Sequence, residues 1–244
     1  MEHHAGFGAE HALDVEQKEL EPAKPVEFRF RVLSPDGKAV TSYRPLHERE
    51  LHLIVVRQDL ATFSHLHPAR EPDGTWTVEL TLPSPGPYRA FTDLAPTGGP
   101  DLTLAVDLTA PGEWVRQELP APSRTAKVDD FLVELSGALV AGAHSELTFT
   151  VTRRGERVPL EPYLGALGHL VALRASDLAY LHVHPLEDSA TDAVRFGVEV
   201  PSAERYRLFL QFVHTGRVRT AAFTVEASQP SDRAETAENH AGGG

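Results

Sequence analysis

Two stretches of sequence decide the fold, because each occurs twice. His52-Leu-Ile-Val-Val-Arg57 returns as His169-Leu-Val-Ala-Leu-Arg174, and Phe63-Ser-His-Leu-His-Pro68 returns as Tyr180-Leu-His-Val-His-Pro185. Both stretches recur after 117 positions (169 − 52 and 182 − 65), so the two blocks align without a gap. A repeat at a fixed offset is the signature of a duplicated structural unit.

Weaker matches extend the repeat over most of the chain. Glu27 and Phe30 recur as Glu146 and Phe149 at an offset of 119 (146 − 27), and four residues between 83 and 91 recur at an offset of 118 (201 − 83). The duplication therefore predicts two domains of about 100 residues each, which is an ordinary domain size.

The pattern within each repeat is that of β-strands. Val26-Glu-Phe-Arg-Phe-Arg-Val32 and the segment from Thr75 to Leu82 alternate apolar and polar residues, which is typical of strands with one buried face. The turn signals Ser34-Pro-Asp-Gly37 and Pro85-Gly-Pro87 follow such runs, and no long amphipathic helix is evident. We predict an all-β chain of two tandem Ig-like or cupredoxin-like β-sandwich domains that arose by internal duplication.

Composition sets the expected boundaries of these domains. The first sandwich is expected at residues 25–118 and the second at 125–226, on either side of the proline-rich stretch Pro120-Ala-Pro-Ser-Arg124. Residues 1–24 are polar and rich in histidine, and residues 227–244 end in three glycines. Both ends are predicted to be disordered.

The overall composition excludes several classes of function. The net charge of −12 argues against a nucleic-acid partner, which would need clustered Lys and Arg. With no Cys, and with Met1 as the only methionine, the chain cannot form disulfides, thiolate zinc sites, iron–sulfur clusters or blue-copper sites. It does contain 13 histidines, so any metal must be held by imidazole, carboxylate or backbone oxygen. No window approaches the roughly 20 apolar residues of a membrane span.

The repeated histidines suggest such a metal site. His65 and His67 are two positions apart on a predicted strand and so project from the same face. An antiparallel hairpin would place His52, on the preceding strand, beside them, and three imidazoles can bind one ion at about 2.0–2.1 Å. The same reasoning predicts a second site from the matching residues of the second repeat, His169, His182 and His184. The alternative is that these histidines cap the ends of the sandwich through hydrogen bonds.

A fourth ligand would have to come from another strand. Asp93 is a candidate in the first repeat, although it is equally consistent with an ordinary surface carboxylate. Its counterpart Gln211 is a poor ligand, so His214 is the candidate in the second repeat. His47 has no histidine counterpart near Gly165, so it is expected to influence only the first site.

Imidazole and carboxylate donors suit copper, zinc, nickel or iron, and the order of affinities favours copper. The leading hypothesis is a binding protein that sequesters or delivers such an ion, with binding that weakens below about pH 6 as ordinary histidines protonate. We expect no enzymatic activity, because no general base or nucleophile is matched in both repeats. The alternatives are a mononuclear metalloenzyme with an open coordination position and a structural or interaction module. The sequence leaves the oligomeric state open.

Several phrases resemble a group of bacterial extracytoplasmic proteins with cupredoxin-like or YtkA-like β-sandwich domains. They are His47-Glu-Arg-Glu-Leu-His52, Asp59-Leu60, Phe63-Ser-His-Leu-His-Pro68 and Tyr163-Leu-Gly-Ala-Leu-Gly-His169, and the resemblance spans residues 25–226. It implies a secreted, cell-surface or periplasmic location and a link to copper or other heavy metals. Residues Met1 to Lys24 show no apolar signal core, so we expect either a cytosolic protein or one from which a signal or anchor has been removed. Electron transfer is not implied, since cupredoxins use a Cys ligand.

Overall fold

The structure is a computed structural model that describes residues 11–181, 183–186 and 192–230. All regular secondary structure assigned in these residues is β-strand. The chain divides into two compact units, Met1–Glu118 and Leu119–Gly244. This confirms the prediction of an all-β protein built as two tandem sandwiches.

The first unit consists of two four-stranded antiparallel sheets. One sheet has the strand order β1-β2-β6-β5 and the other has the order β4-β3-β7-β8. The strands are β1 (Ala12–Val15), β2 (Val26–Leu33), β3 (Leu51–Arg57), β4 (Phe63–Leu66), β5 (Ala69–Arg70), β6 (Thr75–Leu80), β7 (Gly86–Leu94) and β8 (Leu102–Ala110).

The second unit repeats this arrangement with two further strands. Its sheets have the orders β15-β16-β11-β10-β9, with β12 also paired to β11, and β14-β13-β17-β18. Without β9 and β12, each strand has a counterpart in the first unit in the same sheet order. The strands are β9 (Thr125–Val128), β10 (Phe131–Ser136), β11 (His144–Arg153), β12 (Glu156–Arg157), β13 (His169–Arg174), β14 (Tyr180–Leu181), β15 (Val183–Pro185), β16 (Ala193–Glu199), β17 (Arg205–His214) and β18 (Arg217–Glu226).

Alternation places the core of each sandwich. In the first unit Phe28 and Phe30 of β2 and Trp76 of β6 belong to the same buried cluster as Leu53 and Val55 of β3. The second unit buries a matching set, which includes Phe149, Val151, Phe196, Ala172 and Leu208. Full burial of each Val, Leu or Phe side chain in these sets contributes about 1.5–3 kcal/mol to folding.

The central strand β3 is buried on both of its faces. Leu51, Leu53 and Val55 belong to the core cluster, and the residues between them, His52 and Ile54, are also fully buried. A strand buried on both sides reads as a continuous apolar run rather than an alternation, as Leu53-Ile-Val-Val56 does. A buried imidazole therefore lies at the start of this strand.

The ends of the sandwiches differ from the predicted boundaries. Residues 12–24, predicted to be disordered, belong to the first unit, because Ala12–Val15 pairs with β2 and Leu20 is 1% exposed in the core. The second unit extends to residue 228, since the amide of Ser228 donates to the carbonyl of Leu139 at 3.0 Å. The predicted disordered segments 1–10 and 231–244 lie outside the described residues.

Candidate metal centre

The pairing of β3 with β4 brings the three histidines of the first repeat to one face of the sheet. His65 lies directly opposite Ile54 in the antiparallel register, and opposite residues point to the same face. His52 precedes Ile54 by two positions and therefore shares that face. His67 follows β4 and precedes β5, at the point where the chain crosses to the other sheet.

The three imidazoles form a compact group. One ring nitrogen from each of His52, His65 and His67 lies within 4.8 Å of the other two. The ring centroids are 5.2 Å apart for His52 and His65, 5.1 Å for His52 and His67, and 4.7 Å for His65 and His67. Two ligand nitrogens of a tetrahedral ion lie about 3.3 Å apart, given metal–nitrogen bonds of about 2.0–2.1 Å. Small side-chain rotations therefore suffice to close the group around one ion.

A backbone hydrogen bond selects the ligand atom of His52. Its Nε2 lies 2.8 Å from the carbonyl oxygen of Leu46, and its Nδ1 lies 3.0 Å from Nε2 of His65. A carbonyl oxygen only accepts, so Nε2 of His52 carries the proton and Nδ1 of the neutral ring holds a lone pair. That lone pair points toward the other imidazoles, which is the arrangement found around protein-bound metals.

His67 has a buried nitrogen without a hydrogen bond. Its Nε2 is inaccessible to solvent and has no hydrogen-bond partner among the described residues. Leaving a buried polar atom unsatisfied costs about 1–3 kcal/mol, and such atoms are uncommon in folded proteins. A metal ion bound by this nitrogen would satisfy it.

Burial keeps two of these imidazoles neutral. Desolvation lowers the pKa of His52 to about 4, opposed by its bond to Leu46, and lowers the pKa of His67 to about 4. The positive charge of Arg49 depresses the pKa of both residues further. Neutral imidazole is the form that binds metals, and proton competition at these two residues begins below the pH of about 6 expected for ordinary histidines.

Two further candidates lie beside this group without joining it. Asp93 is buried directly opposite His52 in the register of β3 with β7, and it accepts a weak hydrogen bond from Thr103 at 3.4 Å. The ring of His47 has its centroid 6.1 Å from that of His52. In the described part of the first unit, only the three imidazoles meet the 4.8 Å distance.

The described candidates of the second repeat match the first repeat at His169 but not at His184. His169 begins β13, where it is buried opposite Gln211 just as His52 lies opposite Asp93. His184 is exposed and belongs to β15, which pairs with β16 in the other sheet. His182 lies outside the described residues.

His214 lies apart from the other candidates of the second repeat. Its Nδ1 is 2.9 Å from the carbonyl oxygen of Pro159, and its ring packs edge-on against Phe131 with centroids 5.4 Å apart. It is three positions beyond Gln211 on β17, so its side chain points to the other face of the sheet. The structure thus does not bring His214 to His169.

Sequence reasoning missed the turn that holds the first site. Leu46 and Arg49 exchange two backbone hydrogen bonds, of 2.7 and 3.0 Å, around His47 and Glu48, whose φ angles are 45° and 66°. Two positive φ values define a type I′ turn. The same turn recurs 117 positions later from Tyr163 to Ala166, so the repeat carried the signal.

The comparisons assign the chain to a family. Residues 8–112 and 126–229 each match the model of the family described as Domain of unknown function (DUF8832), so the chain belongs to that family and contains two copies of its domain. The matching family is this one, rather than a cupredoxin-like or YtkA-like family. No curated protein sequence matches the chain.

Similar solved structures show only distant likeness. A DUF4426 family protein from Pseudomonas aeruginosa is 12% identical with a TM-score of 0.33, over 43% of this chain and 97% of that one. FdeC, an Escherichia coli adhesin, is 12% identical with a TM-score of 0.30, over 91% of this chain and 65% of that one. Invasin, a bacterial integrin-binding protein, is 10% identical with a TM-score of 0.26, over 90% of this chain and 40% of that one. Within the described residues, no helix is long and apolar enough to cross a membrane.

Proposed function

We propose that the first unit binds one divalent transition-metal ion, copper before zinc, nickel or iron, through Nδ1 of His52, Nε2 of His65 and Nε2 of His67. The observation that carries the proposal is the convergence of three ring nitrogens within 4.8 Å. The set contains only imidazole nitrogen, and for such donors the affinity order of divalent ions peaks at copper.

The role proposed is sequestration or delivery of the ion rather than catalysis. Two of the ligands stay neutral because burial lowers their pKa to about 4, so they need not lose a proton to bind at neutral pH. The proposed location is outside the cytoplasm, and it rests on the resemblance of the phrases around His52 and His169 to extracytoplasmic proteins. The same location would expose the site to metal that enters the cell envelope.

A capping role is the competing function, and it is supported by the bond between His52 and Leu46. In that case the histidines would stabilise the sandwich without an ion. Each replacement would then lower the melting temperature equally with and without metal.

To test this, chelator-treated protein is titrated with Cu(II), Zn(II) and Ni(II). Calorimetry measures the affinity and stoichiometry of binding, and thermal unfolding measures the change in melting temperature. His3, His4, His11 and His240 are changed to Gln in every protein used, so that these histidines outside the proposed site do not contribute to metal binding. We expect one equivalent of Cu(II) to bind to the first unit and to raise the melting temperature by several degrees.

The matched variants are His65→Gln with His67→Gln, against His144→Gln, which changes an exposed histidine whose side chain is 61% accessible. The double variant should lose this binding and the control should retain it. Equal binding by the double variant and the parent protein would overturn the proposal.

A further inference from the structure

A cavity of about 260 Å³ adjoins the histidine group in the first unit. His67 forms part of its wall, together with the turn that accepts the hydrogen bond of His52. The remaining lining comes from the segment after this turn and from β5 and β6. The lining residues are Glu48, Arg49, Glu50, Leu51, His67, Pro68, Arg70 and Trp76.

One of the two arginines in this wall is already neutralised. Arg70 donates to both carboxylate oxygens of Glu50, at 3.1 and 3.3 Å, and its guanidinium lies 5.8 Å from the ring centroid of Trp76. A bidentate pair of this kind holds both partners in place. Arg70 and Glu50 are therefore part of the wall and add little net charge.

Arg49 is the cation that this wall leaves available. Its side chain is exposed, and its guanidinium makes no hydrogen bond or ion pair with any residue the structure describes. Among the described residues, Arg49 therefore contributes an unpaired guanidinium to the cavity wall, on the same turn that accepts the hydrogen bond of His52.

Two properties of a divalent ion held by three neutral imidazoles favour the binding of a fourth, anionic ligand. It keeps a charge of about +2, and a tetrahedral ion with three protein ligands has one open position. The group that meets the ligand distance in the described first unit includes no carboxylate. The cavity is several times the roughly 30 Å³ that one water occupies in the liquid, so it has room for a ligand of several heavy atoms.

We propose that a small carboxylate anion enters this cavity, binds the open position of the metal held by His52, His65 and His67, and is anchored by the guanidinium of Arg49. A guanidinium presents paired donors that match a carboxylate, and its charge complements the anion. The inference rests on the proposed function, since the metal supplies one of the two contacts. The bound form is then a metal–carboxylate complex in which Arg49 selects for the anion.

The test uses the full-length chain loaded with one equivalent of Cu(II) and titrated with acetate, with azide as a spectroscopic probe. The visible absorption of the copper reports ligand exchange, and the metal affinity is measured separately by competition with a chelator. Arg49→Gln is compared with Arg116→Gln, which removes an exposed arginine outside the cavity.

We expect saturable spectral changes in the parent protein and in Arg116→Gln. Arg49→Gln should weaken the affinity for both anions about tenfold or more, as expected for loss of a charge-assisted contact, while Cu(II) affinity is unchanged or tighter. Copper binding without any anion-dependent spectral change would overturn this inference and leave the proposed function standing. Equal anion affinities in the two variants would remove Arg49 from it, and failure to bind copper at all would overturn both proposals.

Discussion

The two units carry the same histidine motif but place its last histidine differently in their sheets. In the first unit β4 runs to Leu66 and β5 begins at Ala69, so His67 lies at the crossover. In the second unit β14 ends at Leu181 and β15 begins at Val183, which corresponds to Leu66. His184, the counterpart of His67, is therefore already paired into the other sheet, opposite Gly197. Among the described residues, the sheet crossover therefore falls at a different position in the two units relative to the motif.

The turns that precede β3 and β13 also carry different side chains. The turn Leu46–Arg49 brings an imidazole and a guanidinium to the first site. Its counterpart, Tyr163–Ala166, has Leu164 and Gly165 at the positions with positive φ and offers neither group. At this turn the two units thus share the backbone conformation, while only the first unit carries the imidazole and the guanidinium.

The largest expected effect is on Cu(II) affinity, which should depend on the histidines of the first repeat and not on His184 of the second. Changing His65 and His67 together to Gln removes two of three ligands, so the Cu(II) affinity of the first unit should fall at least about a hundredfold. His184→Gln should change it less than about threefold, because His184 lies in the other sheet of the second unit. Competition titrations with a chromophoric chelator measure both, and a comparable loss in the two variants would contradict the comparison.

The next effect concerns the arginine repeated at the ends of β3 and β13. Arg57 Nε donates to Asp59 at 2.8 Å with side chains 5% and 0% exposed, whereas Arg174 bonds Asp177 at 2.7 Å with the aspartate 50% exposed. Removal of one partner from a buried pair leaves an uncompensated charge. Asp59→Ala should therefore lower the free energy of unfolding by about 3–5 kcal/mol.

Asp177→Ala is the matched control for that prediction. An exposed pair contributes about 0–1 kcal/mol, so this variant should unfold at nearly the denaturant concentration of the parent protein. Urea unfolding followed by fluorescence and by circular dichroism gives both values. Equal destabilisation by the two variants would show that burial does not make the Arg57–Asp59 pair more important for stability than the Arg174–Asp177 pair.

A smaller effect is expected in the pH dependence of stability without metal. Burial lowers the pKa of His52 and His67 to about 4, below the value of about 6.5 in an unfolded chain. Between these values the unfolded state binds more protons, so their contribution is fully present above pH 6.5 and is lost as the pH falls toward 4. The loss should amount to a few kcal/mol in all at the acidic end of this window.

This pH effect is isolated by subtraction, since carboxylates also titrate in acid. Unfolding free energies at pH 7.5 and 4.5, with chelator present, are compared between the parent protein and His52→Gln. The difference between the two pH values should shrink in the variant. An unchanged difference would mean that His52 protonates without unfolding the site.

Much of the fold could be predicted from the sequence because the signals were local. The alternation in Val26-Glu-Phe-Arg-Phe-Arg-Val32 predicted β2, and the 117-residue offset predicted the duplicated unit. The strand Ala12–Val15 was missed because four partly exposed residues carry too short a pattern. Its pairing with β2 is a tertiary contact.

The convergence of His52, His65 and His67 also followed from the hairpin reasoning, because strand geometry fixes which residues share a face. The carbonyl of Leu46 could not be predicted, since a main-chain acceptor leaves no mark on the sequence. The position of His184 could not be predicted either, because the crossover depends on how the two sheets pack. Those two features define the proposed ligand atom of His52 and the difference between the repeats.

A crystal structure of the Cu(II)-loaded protein, with anomalous diffraction data at the copper edge, would test the proposed metal site most directly. Copper held at this site should give one strong peak about 2.0–2.1 Å from Nδ1 of His52, Nε2 of His65 and Nε2 of His67. A protein that binds copper elsewhere, with the Nδ1 of His52 still 3.0 Å from Nε2 of His65 and no peak between them, would contradict this proposal.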